Sequence, residues 1–258
     1  MQRSERHRVI IRAVGGGSGV GTTRTIAELA ELTGLSPVTI RRDLTELAAQ
    51  GAVRRVRGGA APAPTRGTPY PFGLRETEDA DAKHALAREA ATLVRPGDSV
   101  LVDNGTTALA VARELAGVGV TALALSLHAA AALASKPGNQ VVVPGGTLRT
   151  DDLTFAGAAA LEAVRGMRFD VAILGACAAD PDSGLTVAEW DDAQVKRAAI
   201  AAAQRVVLVA TADKFARTAA YRFGTLADLD VVVSTGVPVT VAHEARELGI
   251  DVRDVPCA

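Results

Sequence analysis

Two kinds of hydrophobic spacing divide the chain. In TIAELAELTGLSPVTIRRDLTELAAQ (25–50), Ile26, Leu29 and Ala30 share one face of a short helix. Ile40, Leu44 and Leu47 follow at i, i+4, i+7 and form the inner stripe of a second helix. Gly34 takes the tight turn between them. Ser36 predicts an N-cap, and Pro37 fills the first helical position, where no amide hydrogen is needed. Gly51 ends the second helix, and AVRRVRGGA then reads as a short hairpin. From about residue 74 the pattern changes to short apolar runs at 99–103, 120–125, 140–143, 170–174, 205–210 and 230–234, with helix-length stretches rich in Ala, Leu and Glu between most of them. Continuous apolar strands alternating with helices predict a mainly parallel sheet covered on both faces.

The segment between these patterns, AAPAPTRGTPYPFG at 60–73, has the composition of a linker, extended where Pro fixes φ. The sequence therefore predicts an α/β protein in three parts: a winged helix-turn-helix at 1–59, a linker at 60–73 and a mainly parallel α/β domain at 74–258. At 48 % hydrophobic residues, the chain builds a sizeable core without metals or disulfides. Cys177 and Cys257 stand far apart, with no CxxC spacing and no clustered His, which fits a reducing compartment and argues against structural zinc. We expect no metal and no cofactor. The N-terminus is polar, and the most apolar stretch, 120–134, is too short to span a bilayer and contains His128. No membrane association and a cytoplasmic location are the expectations.

Net charge changes the picture only when the chain is split. Residues 1–60 carry ten Arg and five carboxylates, a balance of +5; since the whole chain is −1, the rest is −6. A basic head on an acidic body predicts a polyanionic partner for the head. Thr39, Arg42 and Glu46 lie opposite the inner stripe of the second helix, with Arg41 beside them. This is the geometry of a helix that enters a major groove. Arg41 or Arg42 can grip guanine O6 and N7 bidentately, and Thr39 can meet a thymine methyl or a phosphate. Ser36, at the helix start, belongs to the same candidate interface. Arg54, Arg55 and Arg57 decorate the hairpin and would meet phosphates or a minor groove. The bland alternative is an amphipathic helix pair with a solvated arginine face.

SPVTIRRDLTELAAQGAVRRVRGGA resembles the DNA-binding signature of the DeoR family of bacterial regulators, in which the TIRRDL helix reads DNA and the RGGA end closes the wing. Two departures stand out: Arg57 replaces the His usual in the family, and a glycine-rich VGGGSGVGTTR separates the first and second helices. That stretch nearly spells a phosphate-binding loop. It has Thr22 where such a loop needs Lys, however, and follows a charged helix-like segment rather than a strand, so a flexible connector is the reading adopted.

In parallel sheets ligands sit at the carboxyl ends of the strands. After 99–103 comes DNGTT, in which Gly105 turns the chain and the amides of Thr106 and Thr107 form an anion cradle at a helix start; an ordinary capped turn is the alternative. Asp103 can accept bonds from sugar hydroxyls. After 140–143, Gly145 and Gly146 permit close approach of backbone to ligand, or simply make a tight turn. After 170–174 comes GACAADPDSGLT, read as a long polar loop with Asp180, followed by Glu189 and Lys196 on about one face of a helix, where a solvated pair is the alternative. Lys214 follows 205–210, where a lone Lys usually faces solvent.

In order, VDNGTT, PGGTLR, FAG–FDVAILGA, GLT–VKRA and DKF resemble the DeoR-family sensor domain over nearly the whole remaining chain. The resemblance implies a fold related to ribose-5-phosphate isomerase and a phosphorylated sugar effector. It marks Asp103, Gly105, Thr106, Thr107, Gly145, Gly146, Lys196 and Lys214 as effector-site positions. Thr211 stands where the family often has Asp, and the family's usual Asn before Ser126 is absent. The expected function is a DNA-binding transcription regulator, a repressor of a carbohydrate operon, acting on double-stranded operator DNA as a homodimer or higher even homo-oligomer. The competing reading is a sugar-phosphate isomerase-like enzyme drawing on Asp103, Asp180, Glu189 and Lys214 for proton transfer. An enzyme has no use for residues 1–59, so we expect no catalysis. A third reading, an architectural DNA-binding protein with an inert body, leaves the strand-end glycines unexplained.

Overall fold

We describe the fold from a computed structural model covering residues 3–15, 22–49, 52–62 and 72–256. The chain divides into two compact units, Met1–Glu78 and Asp79–Ala258. The first unit contains α1 (Arg3–Gly15), β1 (Arg24–Thr25), α2 (Ile26–Thr33), α3 (Pro37–Ala49), β2 (Val53–Val56), β3 (Gly59–Pro62) and α4 (Phe72–Thr77). Local chemistry accounts for the boundaries. Thr25 Oγ1 accepts the Glu28 amide while Glu28 accepts the Thr25 amide, a reciprocal cap that starts α2. Gly34, at φ +69°, ends it. Ser36 Oγ accepts the Thr39 amide at 3.3 Å and starts α3, as predicted. Ile10, Val14, Leu29, Ile40, Leu44 and Leu47 are fully buried together, so three helices share one small core.

The hairpin of β2 and β3 is antiparallel, and β1 adds to β3 through Gly59, where a side chain would collide with the Arg24 carbonyl. The wing thus runs through Pro62, with Ala60 and Ala61 buried, so the segment predicted as linker from residue 60 begins inside a strand. Its other end also differs, because Phe72 is buried in a helix of the first unit. The rest of that linker (63–71), most of the glycine-rich stretch (16–21) and Gly51 lie outside the described residues.

The second unit contains α5 (Ala80–Ala91), β4 (Ser99–Val102), α6 (Thr106–Glu114), β5 (Thr121–Ala124), α7 (Leu127–Leu133), β6 (Gln140–Val142), β7 (Thr147–Arg149), β8 (Thr154–Ala156) and α8 (Ala158–Arg165). It continues with β9 (Phe169–Leu174), β10 (Ala178–Asp180), β11 (Gly184–Val187), α9 (Trp190–Ala202), β12 (Ala203–Ala210), β13 (Tyr221–Gly224), β14 (Val231–Ser234), α10 (Val239–Glu247) and β15 (Asp251–Asp254). Seven strands form one sheet in the order β15-β14-β12-β9-β4-β5-β6, and each pairing is parallel. The period of two assigns the faces. Leu101, Leu123, Ala172, Leu174, Leu208 and Val232 pack on α8, α9 and α10, whereas Val100, Val102, Val171, Ile173, Val207 and Val209 pack on α5, α6 and α7.

The chain enters this sheet in the middle. From β4 it builds outward through β5 and β6, then returns beside β4 with β9 and builds the other way. This reversal puts the switch point of the sheet at the carboxyl ends of β4 and β9, the place where the crevice of such sheets takes ligands. The six predicted strands are present within a residue or two of their expected limits. The polar loop predicted after residue 174 instead holds β10 and β11, an antiparallel hairpin extended by β13, and the segment after Gly146 enters the β7–β8 hairpin. β7, β8 and β10 are three residues each and lack an apolar run such as the one that marked β6, so tertiary pairing decided them.

Phe169 is among the largest fully buried side chains. Phe169→Ala should lower unfolding free energy by about 3–5 kcal/mol in a urea titration. Val239→Ala, at a position 86 % exposed, should stay within about 0.5 kcal/mol of wild type.

Candidate DNA interface and effector site

The α3 surface of the first unit separates the three residues of the RRD triplet. Arg41 and Arg42 are exposed, while Asp43 is buried. Asp43 Oδ2 accepts from Arg6 Nε at 2.5 Å, Oδ1 from Arg6 Nη2 at 2.9 Å, and His7 Nε2 stands 3.3 Å from Oδ1. Burial pushes the Asp43 carboxyl up, but Arg6 and His7 outweigh it and hold its pKa below the ordinary carboxylate value. Glu46, expected on the outward face, is half-buried and pairs with Arg3 of α1. His7, Asp43 and Glu46 form the described cluster with metal-ligand spacing, yet both carboxylates are already held by arginines. The cluster therefore locks α3 onto α1.

Ser36 and Thr39 lie at the start of α3, their hydroxyls 2.9 Å apart. Arg54, Arg55 and Arg57 are exposed on the wing, and Arg55 Nη1 donates to Thr45 Oγ1 of α3 at 2.8 Å, tying hairpin to helix. The expected arginine face is thus assembled on two elements fixed to each other.

In the second unit, Asp103 and Gly175 end the adjacent strands β4 and β9 at the crevice. Asp103 is fully buried; its Oδ2 accepts the Gly175 amide at 2.7 Å and an ion pair from Lys196 Nζ. Lys196, only 2 % exposed, also donates to the Gly175 carbonyl at 3.1 Å and lies 3.8 Å from Asp192. Burial works against the Lys196 charge, but the two facing carboxylates outweigh it and raise its pKa above the ordinary lysine value. Asp192 accepts from Asn104 Nδ2 at 2.8 Å. The sequence placed Glu189 and Lys196 on about one face of the helix; the structure leaves Glu189 exposed and buries Lys196 against Asp103 and Asp192 instead, because α9 turns its inner face toward the strand ends.

Two features remain unsatisfied at this point. Asp103 Oδ1 is buried and is among the described buried atoms without a hydrogen-bond partner. The following helix, α6, begins at Gly105 (φ +94°) with no side-chain cap, so the first-turn amides, Thr106 and Thr107 among them, lack intrahelical or capping acceptors. Thr106 is nearly buried and Thr107 half-buried. Lys214 follows β12, two strands and about 10 Å of sheet from β4. It lies 3.4 Å from Asp213, which Arg217 also contacts at 2.9 Å, so two cations share one carboxylate. Thr211 donates to Asp213 as well. On the other side, Gly145 and Gly146 follow β6, both at positive φ. Gly146 is also required by packing, since a Cβ would lie 2.6 Å from that of Ala159, whereas Gly145 faces open space. Arg149, the Arg of PGGTLR, is clamped bidentately to Asp152 at 2.9 and 2.8 Å.

The comparisons fit both units. A family described as DeoR-like helix-turn-helix domain matches residues 21–65, and the DeoR C terminal sensor domain matches residues 78–235. The chain belongs to the DeoR family. This DeoR-family chain is similar to the HTH-type transcriptional regulator GlpR of Haloferax volcanii, at 32 % identity over 96 % of this chain and 94 % of that one. It is 33 % identical to the Glycerol-3-phosphate regulon repressor of Escherichia coli, over 92 % and 93 % of the two chains. HTH-type transcriptional repressor GlcR of Bacillus subtilis is 29 % identical over 83 % of each. Among solved structures, ribose 5 phosphate isomerase A from Neisseria gonorrhoeae aligns with a TM-score of 0.39 and 19 % identity over 55 % of both chains. The chain is a DNA-binding transcription regulator, as its sequence predicted.

Sequence reasoning missed Asp43, Asp192, Asn104 and Gly175. Asp192 had a signal, four residues before Lys196 on one helix face; Gly175, distant in sequence from Asp103, had none. Lys196→Ala should cost about 3–5 kcal/mol in urea unfolding, because Asp103 is left buried without its counter-charge, and a combined Asp103→Asn, Lys196→Met variant should recover much of that loss. Asp43 adds a pH signature. Its depressed pKa contributes stability above the unfolded-state value of about 4, and this is lost as pH falls through the lower folded value. The stability difference between wild type and Asp43→Asn should therefore be constant near neutrality and shrink below about pH 4.

Proposed function

We propose that this DeoR-family protein represses a carbohydrate-metabolism operon, reading operator DNA with α3 and the wing and responding to a phosphorylated sugar or polyol in the β4–β9 crevice. One juxtaposition supports the effector reading: the unpartnered Asp103 Oδ1 lies two residues before the Gly105 N-cap of the uncapped α6. A ligand hydroxyl supplies the donor that Oδ1 lacks, and a phosphate supplies acceptors for the helix amides and matches the helix dipole. Asp103 faces the hydroxyls because a carboxylate beside a phosphate is repelled. Lys214, whose carboxylate is shared with Arg217, is the better counter-charge, and Lys196 orients Asp103 from behind. The names of the relatives, which include a glycerol-3-phosphate regulon repressor, accord with this ligand class.

Catalysis has no part in this reading. The protein works in the cytoplasm without cofactor or metal, as a homodimer or higher even homo-oligomer, since paired half-sites call for a symmetric pair of winged helices. No described helix is long and apolar enough to cross a membrane. Ligand binding changes DNA affinity only by favouring one arrangement of the two units.

Replacing Arg41 or Arg42 with Ala should cost about 1–3 kcal/mol at the operator and relax base preference. Arg57→Ala should weaken all sequences alike and shallow the salt slope by about one unit. Equal operator affinity for the double Arg41→Ala, Arg42→Ala variant would sink the assignment. For the effector, a fluorescent operator complex is titrated with sugar and polyol phosphates and with their unphosphorylated forms. Only the phosphorylated forms should release DNA, and Thr106→Glu should abolish release while leaving DNA binding intact. If that variant responds to an identified effector as wild type does, the phosphate does not sit at this loop.

A further inference from the structure

The outer face of α9 takes no part in the crevice. Trp190, Gln194, Arg197 and Ala201 recur along it at helical spacing, while Lys196 is buried on the inner side. Trp190 is the chain's single tryptophan and is 51 % exposed. It meets Tyr221 edge to face at 5.7 Å between ring centroids, and the Arg197 guanidinium lies 5.4 Å from the Trp190 ring centroid. In a chain that is 3 % aromatic, an exposed Trp–Tyr–Arg group is the composition of an interaction hot spot. Toward the far end of α9 the surface sinks into a groove of about 470 Å³ between α8 and α9, floored by Ala198, Ala201 and Ala202 and bordered by Arg165, Arg168 and Arg197. Charge is graded along the same face. Glu189 and Asp191 are exposed at the start of α9; Arg165, Arg168 and Arg205 are exposed at the other end, where Arg165 also pairs with Glu162 at 3.0 Å.

We propose that two copies of this chain meet here, α9 packed antiparallel on α9, with Trp190 of each copy seated in the alanine-floored groove of the other. This rests on the homo-oligomer reading above and names its surface. A two-fold interface must be self-complementary, so that the contact one copy makes is returned by its partner. Antiparallel packing meets that condition: it sets Glu189 and Asp191 of one copy against Arg165 and Arg168 of the other, whereas parallel packing opposes like ends. Trp190 and Ala201 are eleven residues, about 16 Å, apart along the helix, so an axis near Gln194 and Arg197 places both indoles over both grooves. Arg197 does not obstruct the axis, because it folds onto its own copy, donating to Gln194 Oε1 at 2.5 Å and to the Arg222 carbonyl.

The test uses the full chain and its single tryptophan. Sedimentation and Trp190 emission are followed over the same dilution series, for wild type and for Ala201→Glu, which places a carboxylate at an exposed helix position facing the incoming acidic end. We expect wild type to associate at micromolar concentration with its emission shifting to the blue over that range. Ala201→Glu should associate at least about tenfold more weakly, with red-shifted emission and an unchanged circular dichroism spectrum. If wild type associates while Trp190 emission stays fixed, or if Ala201→Glu associates as wild type does, the surface is wrong and the homo-oligomer reading stands. If wild type remains a monomer throughout the series, that reading fails and the interface falls with it.

Discussion

The ion pair between Lys196 and Asp103 joins three segments far apart in the chain: the end of β4, the end of β9 at Gly175 and the inner face of α9. Removing two charges from water is expensive, and the cost is met only when geometry and extra hydrogen bonds compensate. Here the Gly175 amide supports the carboxylate, while the Gly175 carbonyl and Asp192 support the ammonium. A slip of α9 by one turn would break all of these together. The pair therefore fixes α9 over the strand ends, shapes the crevice wall and leaves one oxygen of Asp103 without a partner.

What surrounds that oxygen follows from a single direction. Because all seven strands are parallel, each strand-to-helix junction falls at the same edge, and the helix starts present amides there. Formal charges near this edge are mostly neutralised within the protein: Arg149 by Asp152, Lys196 by Asp103 and Asp192, and Lys214 and Arg217 in part by Asp213. What this edge leaves over is oriented backbone amides, one bare carboxylate oxygen and one net positive charge around Asp213. On the proposed reading, an anion that also carries hydroxyls is favoured over a simple anion, because an unmatched buried acceptor penalises any ligand without a donor.

The first unit applies the same device to a different end. A buried carboxylate, Asp43, is clamped by Arg6 and His7, and the two arginines that precede it in sequence are directed outward by the turn of the helix. Anchoring α3 to α1 on one side and to the wing through Arg55 and Thr45 on the other gives the basic face a defined shape. A groove-reading surface needs that, since base contacts depend on angle as well as charge.

The elements with enough length to show a period were legible in the sequence. Ile40, Leu44 and Leu47 specified the inner stripe of α3, Ser36 its start, and the six apolar runs all of the large sheet except β15, because helix caps and core-facing periods are local properties. The placement of DNGTT at a strand end and helix start was legible for the same reason. Tertiary structure alone decided β7, β8 and β10, the extension of the wing to Pro62 and the partners of the charged groups. Lys196 as a sequence letter is an exposed cation by default; it becomes the buried support of Asp103 only because the order in which strands insert brings β9 and α9 beside β4. Strand order is a choice among long-range pairings of similar apolar segments, and no local pattern in the chain encodes it.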